Sequence, residues 1–334
     1  MYSDNGERGV NNVEGKSGPA INRGLLPASY QPLKRRLKPR LSTLAIAALT
    51  YRYLKAHQSS RMTTRLFQWI IVTLSVLNWR AVPFYWHVVT LWPIVVVKIR
   101  RKLLGTNEKF VKNLGLIGIS PFEAGVVSKH CATWNACDFM LHLSNSSYAI
   151  ALDEARCKWH VNVIGVAMRA DQECVRSYVA STHFTYFVEI PMLADYEVEV
   201  RPVAWDNKWV YLLSVFTTAP AKGSKTRTLN CLSITRTVIK IGRRTVPPEK
   251  IFILCGFGKD ETNWNFAVNL RKRPRDNKKR FNPSQEWLLN SASVEENDQS
   301  ISLTEFESQR LRNLEIVRSG LDGGFGAERL KELL

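Results

Sequence analysis

No two cysteines in this 334-residue chain stand in a C-x-x-C arrangement, although six are present, at 131, 137, 157, 174, 231 and 255. That excludes a zinc ribbon and a thioredoxin-type redox centre, and so few cysteines in so long a chain exclude a disulfide-built scaffold. Reduced thiols facing the cytosol are the expectation. Acidic residues are missing altogether from residue 16 to residue 107, where sixteen Lys and Arg fall. The formal net charge of +18 is therefore mostly local, because the body after residue 107 has 30 basic residues against 26 acidic ones. The basic stretch is interrupted by apolar runs rich in Trp and Leu and is not paired with an aromatic sheet motif. Such a segment suits an anionic membrane surface better than a duplex, and nucleic acid is excluded as the partner.

Long uncharged runs are also short of what a membrane span needs. Residues 66–77 are apolar, Arg80 interrupts, and residues 81–97 give 17 positions free of formal charge. At 1.5 Å each, 17 residues cover about 26 Å against a hydrocarbon core of about 30 Å. Pro83 and Pro93 would strain the ends of that helix. Joining the two runs would place Arg80 inside lipid at a cost of about 2.5 to 3.5 kcal/mol. An interfacial helix, a hairpin and a tilted span all stay open, with KIRRK at residues 98–102 as a juxtamembrane basic cluster. The soluble alternative makes both runs ordinary buried helices.

What is present reads as a globular protein, with 45% apolar and 23% charged residues and a length suited to one large or two smaller domains. Residues 1–32 are rich in Gly, Asn, Ser and Pro and form a disordered tail. The first apolar run begins only near residue 41, so no secretory signal is expected; residues 41–54 read as an interfacial helix behind KRRLKPR. The expected organisation is that tail, a basic apolar membrane-associated helical region at 33–104, a folded domain at 105–258, and a charged appendage at 259–334.

Within the folded domain, Tyr148, Leu152, Ala155, Trp159, Val163 and Val166 are spaced 4, 3, 4, 4 and 3, which predicts one long helix with a continuous apolar face. Alternating strands follow at 176–188, 196–205, 209–217 and 229–241. Strict alternation, as in Tyr196, Val198, Val200 against Glu197, Glu199, Arg201, predicts a sheet with one face covered. Asp206-Asn207 supplies hairpin chemistry. The fold class is α+β: a helix inserted after a first strand, then four antiparallel strands wrapped around it.

The chemistry concentrates in DFMLHLSNSSYAIALDEAR, residues 138–156. Asp138 precedes the predicted helix, and Asn145, Ser146 and Ser147 stand where the cap and the first free backbone N–H groups must be. Those groups carry the positive end of the helix dipole and can hold a developing oxyanion. Asp138 then acts as base for a water or as nucleophile, the two requirements for cleaving an activated ester or thioester. The bland alternative is a loop acid beside a good cap. Glu189 is a second carboxylate for the same site, or a solvent-facing strand end. His183 faces either pocket or surface, and His160 is expected to pack. Cys137 is a poor nucleophile, because the adjacent acid raises its thiol pKa. CGFGKD at 255–260 is too short for a phosphate loop.

The order Asp138, His142, Leu143, Ser144, Asn145, Tyr148 resembles the D-x-x-G-H-[VML]-N-N-x-x-Y signature of hotdog-fold thioesterases of the 4-hydroxybenzoyl-CoA thioesterase type. Residues 181–218 resemble the strand block of the subgroup holding membrane-anchored thioesterase-like proteins and fungal relatives encoded with secondary-metabolite pathways. Together the similarity covers roughly residues 118–258. It implies a hotdog fold carrying an N-terminal membrane-associated helical segment. It also implies Asp138 as catalytic carboxylate with His142 and Asn145 beside it, and Ser146, Ser147, Tyr148 and Glu189 on the substrate side. The implied substrate is an acyl thioester of coenzyme A or a carrier pantetheine. No metal or cofactor is called for; the partners are the membrane and a second copy in a homodimer, with the hotdog domain cytosolic. Two positions depart from the signature, Leu141 where it has Gly and Ser144 where it has the first Asn. The competing functions are a hydratase or dehydratase of the same fold and a non-catalytic membrane protein whose hotdog body binds lipid or a partner.

Overall fold

The period-two alternation of residues 196–201 becomes a strand with Tyr196, Val198 and Val200 buried and Glu197, Glu199 and Arg201 half-buried. The structure, a computed structural model, describes residues 48, 50–52, 55, 61–77, 83–104, 107–165, 175–220, 223, 225–274, 281–290, 301–322 and 326–334. The tail at 1–32, most of the helix expected at 41–54, Arg80, Val166, Cys174 and the basic residues at 275–280 lie outside the described residues. The chain divides into two units, Met1–Trp69 and Ile70–Leu334, and the second holds the folded body.

The two apolar runs form α1 (Arg61–Leu77) and α2 (Tyr85–Leu104), followed by α3 (Asn107–Leu114). Among the described residues no helix is long and apolar enough to cross a membrane. The sheet consists of β1 (Val126–Cys131), β2 (Val175–Tyr186), β3 (Asp195–Trp205), β4 (Trp209–Thr218) and β5 (Thr228–Ile241), with β6 (Arg244–Val246) attached to β5. Its order is β1-β3-β4-β5-β2, antiparallel throughout. The β3–β4 turn is set by Asp206, whose Oδ1 accepts the N–H groups of Lys208 at 2.8 Å and Trp209 at 2.7 Å. The register of β3 slips between Pro202 and Ala204; proline has no N–H to give to the ladder, so it is found at bulges and edges.

The central helix, α4 (Asn145–Trp159), continues into a wider π turn at His160–Ile164. Tyr148, Leu152, Ala155, Trp159 and Val163 are all buried in the main core with Val198, Val200, Leu212 and Phe216 of the sheet. Trp159 fixes the depth of the helix by donating its indole N–H to the Ala124 carbonyl at 2.7 Å. A long helix held against one face of an antiparallel sheet in this strand order is the hotdog arrangement.

The expectation of a sheet covered on one face needs correction. β4 and β5 are buried on both faces. Their second face, with Tyr211, Leu213, Leu232 and Ile234, together with Val203 of β3, forms another core with Leu314, Ile316 and Val317 of α8 (Glu307–Asp322), and with Leu330 of α9 (Gly326–Lys331). Backbone carbonyls near the β3 bulge take up the polar side of this contact: Asn313 donates to Val203 at 2.8 Å and Arg310 to Trp205 at 2.5 Å. Between these parts lie α5 (Pro248–Cys255), α6 (Thr262–Lys272) and α7 (Pro283–Leu289), which add Phe252, Trp264, Leu270 and Leu288 to the main core. Residues 259–334 thus supply apolar side chains to both cores. Gly256 ends α5 at φ +88, and a Cβ there would meet Trp264 at 3.2 Å.

Candidate active site

The loop between β1 and α4 is folded back on itself. The Asp138 N–H donates to the His142 carbonyl at 3.0 Å and the Leu141 N–H to the Asp138 carbonyl at 3.1 Å. The strand-like segment beyond β2 anchors this turn: Leu143 donates to the Ile190 carbonyl at 2.8 Å, and Met192 to the Leu141 carbonyl at 2.9 Å. Closing so tight a turn forces Leu141 to φ +63. In that left-handed region a side chain costs about 1 to 2 kcal/mol, whereas Gly enters it freely. Leu141, at the position where the signature carries Gly, thus holds a conformation that Gly would enter freely, and its side chain is exposed.

The turn aims three polar side chains at one another. Asp138 Oδ1 accepts the Met140 N–H at 2.9 Å, while Oδ2 lies 3.4 Å from Nδ1 of His142. The other ring nitrogen of His142, Nε2, is 3.7 Å from Oε1 of Glu189. One imidazole is thus held between two carboxylates, of which Asp138 is half-buried and Glu189 exposed. Sequence spacing alone could not join Glu189 to the pair, since it comes 47 positions after His142; the bridge between His142 and Pro191 brings it there.

Immediately beyond, Ser144 caps α4 from an extended backbone, φ −67 and ψ 148. Its hydroxyl pairs with those of Ser146 at 3.1 Å and Ser147 at 2.9 Å, not with a helix N–H. The first intrahelical turn closes with Ser147 donating to the Ser144 carbonyl at 2.8 Å, so the N–H groups of Asn145 and Ser146 precede any such bond. Asn145 and Ser146 are exposed and Ser147 is buried. Tyr148 packs in the core against Tyr186 and Phe216, with ring centroids 5.0 and 5.1 Å away. Burial, first of several causes, holds its phenol well above the ordinary range. A carboxylate able to take a proton and the positive end of a helix dipole therefore flank one short loop.

The other candidates separate cleanly. His183 is exposed on the edge strand β2. His160 is clamped, with Nδ1 2.9 Å from the Arg156 carbonyl and Nε2 2.6 Å from the Ser177 hydroxyl. Burial lowers its pKa to about 4, leaving it neutral. The Cys137 thiol is pushed up by burial, then by Asp138 and Cys131, which disfavours the thiolate. Among the described residues no cluster of His, Cys, Asp or Glu could hold a metal ion. Sequence reasoning missed His130 and Glu154, whose Nδ1 and Oε2 lie 3.7 Å apart beside a cavity. The available signal was that Glu154 falls seven residues after Ser147, on the same helix stripe.

Residues 132–251 match the model of the thioesterase-like superfamily. A probable thioesterase of Saccharomyces cerevisiae is 25% identical over 191 residues, 57% of this chain and 80% of that one. Thioesterase lcsJ of Purpureocillium lilacinum is 31% identical over 155 residues, 41% of this chain and 49% of its own length. The solved 4-hydroxybenzoyl CoA thioesterase from Pseudomonas sp. strain CBS-3 is 13% identical, covering 39% of this chain and 98% of that one at a TM-score of 0.33. Asp138, His142 and the start of the central helix all lie inside the segment, residues 132–251, that is similar to the thioesterase-like superfamily.

Proposed function

We propose that the protein hydrolyses acyl thioesters of coenzyme A or of a carrier-bound pantetheine, in a secondary-metabolite setting. The observation that carries this reading is Asp138 fixed by the Met140 N–H at 2.9 Å directly ahead of the first turn of α4. The relatives named as thioesterases support it. Asp138 takes a proton from water as the water oxygen bonds to the thioester carbonyl carbon, and the resulting oxyanion is held by the N–H groups at the α4 start, Asn145 and Ser146. The C–S bond then breaks, the sulfur takes the proton back, and a carboxylic acid and a thiol leave. His142, between Asp138 and Glu189, positions the carboxylate. The test is thiol release from an acyl-CoA panel by wild type and Asp138→Asn. The amide keeps the Oδ1 acceptor for Met140 but loses the base, and turnover should fall by about 10² to 10⁴; near-wild-type turnover of the variant sinks the assignment.

A second copy completes the site in this proposal. Phe139, Met140 and Leu141 in the catalytic loop are 93%, 61% and 58% exposed, an unusual concentration of apolar surface. Among the described residues β2 ends the sheet with no strand on its outer edge, and such edges invite pairing. A homodimer would cover both.

Membrane association belongs to the same reading, in interfacial form. One side of α2 packs on the body, with Val97 and Thr90 buried and the Thr90 carbonyl accepting from Cys157 at 2.9 Å. The other exposes Leu91, Trp92, Val95, Ile99 and Leu103 beside the exposed Lys98, Arg100 and Lys102. Apolar side chains inserted at headgroup depth and cations worth about 1 kcal/mol each on an anionic leaflet hold such a helix in the plane of the surface. Flotation with phosphatidylserine vesicles, lost on changing all three cations to Glu, would support it; equal flotation of both would not.

A further inference from the structure

A cavity of about 460 Å³ runs along one side of α4, bordered by α2, β1 and Tyr196 of β3. Its size falls in the range of small-molecule sites. It touches Thr133, Asn135 and Ala136, which lead into the Asp138 turn, and Ser147 in the first turn of α4. From there its walls are Tyr85, Trp86 and Val89 of α2, Ile150 and Ala151 of α4, and Tyr196 of β3. Farther along the helix it meets Glu154, whose carboxylate lies 3.7 Å from the buried ring of His130. That ring is itself stacked on Tyr196 at 5.3 Å and 20°. Ser147, Ile150, Ala151 and Glu154 form one stripe at helical spacing, and seven residues at 1.5 Å place Glu154 about 10 Å beyond Ser147.

The lining decides what fits. Aromatic and aliphatic walls suit a carbon chain, and the Glu154 carboxylate repels the phosphates of a coenzyme A or pantetheine arm, whereas the Asp153 carboxylate is paired with the Arg156 guanidinium. A fully saturated chain, however, would strip water from Glu154 and return nothing. A hydroxyl group donates to that carboxylate and restores the lost bond. We propose that this cavity receives the acyl chain, and that Glu154, oriented by His130, selects acyl groups bearing a hydroxyl about 10 Å from the thioester carbonyl. The proposal rests on the thioesterase reading and adds to it a substrate class. α2 lies outside the matched thioesterase-like segment.

The test uses free acids, so that it needs no turnover. Calorimetric titration of the full-length protein with 10-hydroxydecanoate and with decanoate should show the hydroxy acid binding about 10- to 100-fold tighter, the worth of one hydrogen bond to a charged group. Glu154→Leu should abolish the preference, and the near-isosteric Glu154→Gln should keep part of it through the amide oxygen. Ala151→Phe should fill the cavity and weaken both acids. Equal affinities in wild type, an unchanged preference in Glu154→Leu, or undiminished binding in a folded Ala151→Phe would each overturn the proposal. Failure of thioester hydrolysis alone would appear in the thiol-release assay and leave these affinities intact, so the two readings fail separately.

Discussion

The clamped histidine of the central helix makes stability fall in mild acid by an amount that can be worked from the structure. His160 Nδ1 is 2.9 Å from a backbone carbonyl, which requires it to be the protonated nitrogen; Nε2, 2.6 Å from Ser177 Oγ, then accepts the hydroxyl proton. The ring is thus neutral in the folded state, with a pKa lowered to about 4 chiefly by burial and further by the nearby Arg156 guanidinium, against a helping bond from the Arg156 backbone. In the unfolded chain it titrates near 6.5. Between these values the unfolded state binds more protons, so stability is full above pH 6.5 and is lost as pH falls toward 4. From pH 7 to pH 5 the loss is about 2 kcal/mol. The assay is urea unfolding of wild type and His160→Gln at pH 7, 6 and 5. The Gln variant starts lower, having lost its bonds, but its decline with pH should be shallower than wild type by about 2 kcal/mol, because every other group titrates alike in both proteins. Parallel declines would refute the reasoning and show that His160 takes up its proton without leaving its place.

Other outcomes follow from single features of the fold. Leu141→Gly removes a side chain from φ +63 at the expense of unfolded-chain entropy, so urea unfolding should show a change from none to about 1 kcal/mol in favour of Gly; a loss above 1 kcal/mol would mean the leucine packs against something. Leu152→Ala empties a fully buried site between α4 and the sheet and should cost about 2 to 5 kcal/mol by the same measurement. Val317→Asp buries a charge in the core between α8 and the sheet and should expose that face, seen as dye binding and aggregation. On the homodimer proposal, Phe139→Asp should lower the mass seen in light scattering from that of a pair to that of one chain while the melting temperature holds; an unchanged mass would count against pairing through the loop.

Local pattern was enough to place the central helix and the strands that follow it, because burial on one side of a helix or strand repeats at 3.6 or 2 residues and leaves a readable trace. The Asp206-Asn207 turn was legible for the same reason: a side-chain acceptor two residues from its donor is local chemistry. So were Asp138 and the polar start of α4, which lie within ten residues of each other. Tertiary structure alone decided what comes from afar. Glu189 reaches His142 only through the bridge at Pro191. Glu154 and His130, on different elements, meet only when β1 lies beside α4. The φ of Leu141 follows from closing the turn, whatever residue occupies it. The second face of β4 and β5 has no helical partner until residues 307–322, far along the chain, return to cover it. Periodicity reports that a face is apolar; which distant segment buries that face is settled by the way the whole chain packs.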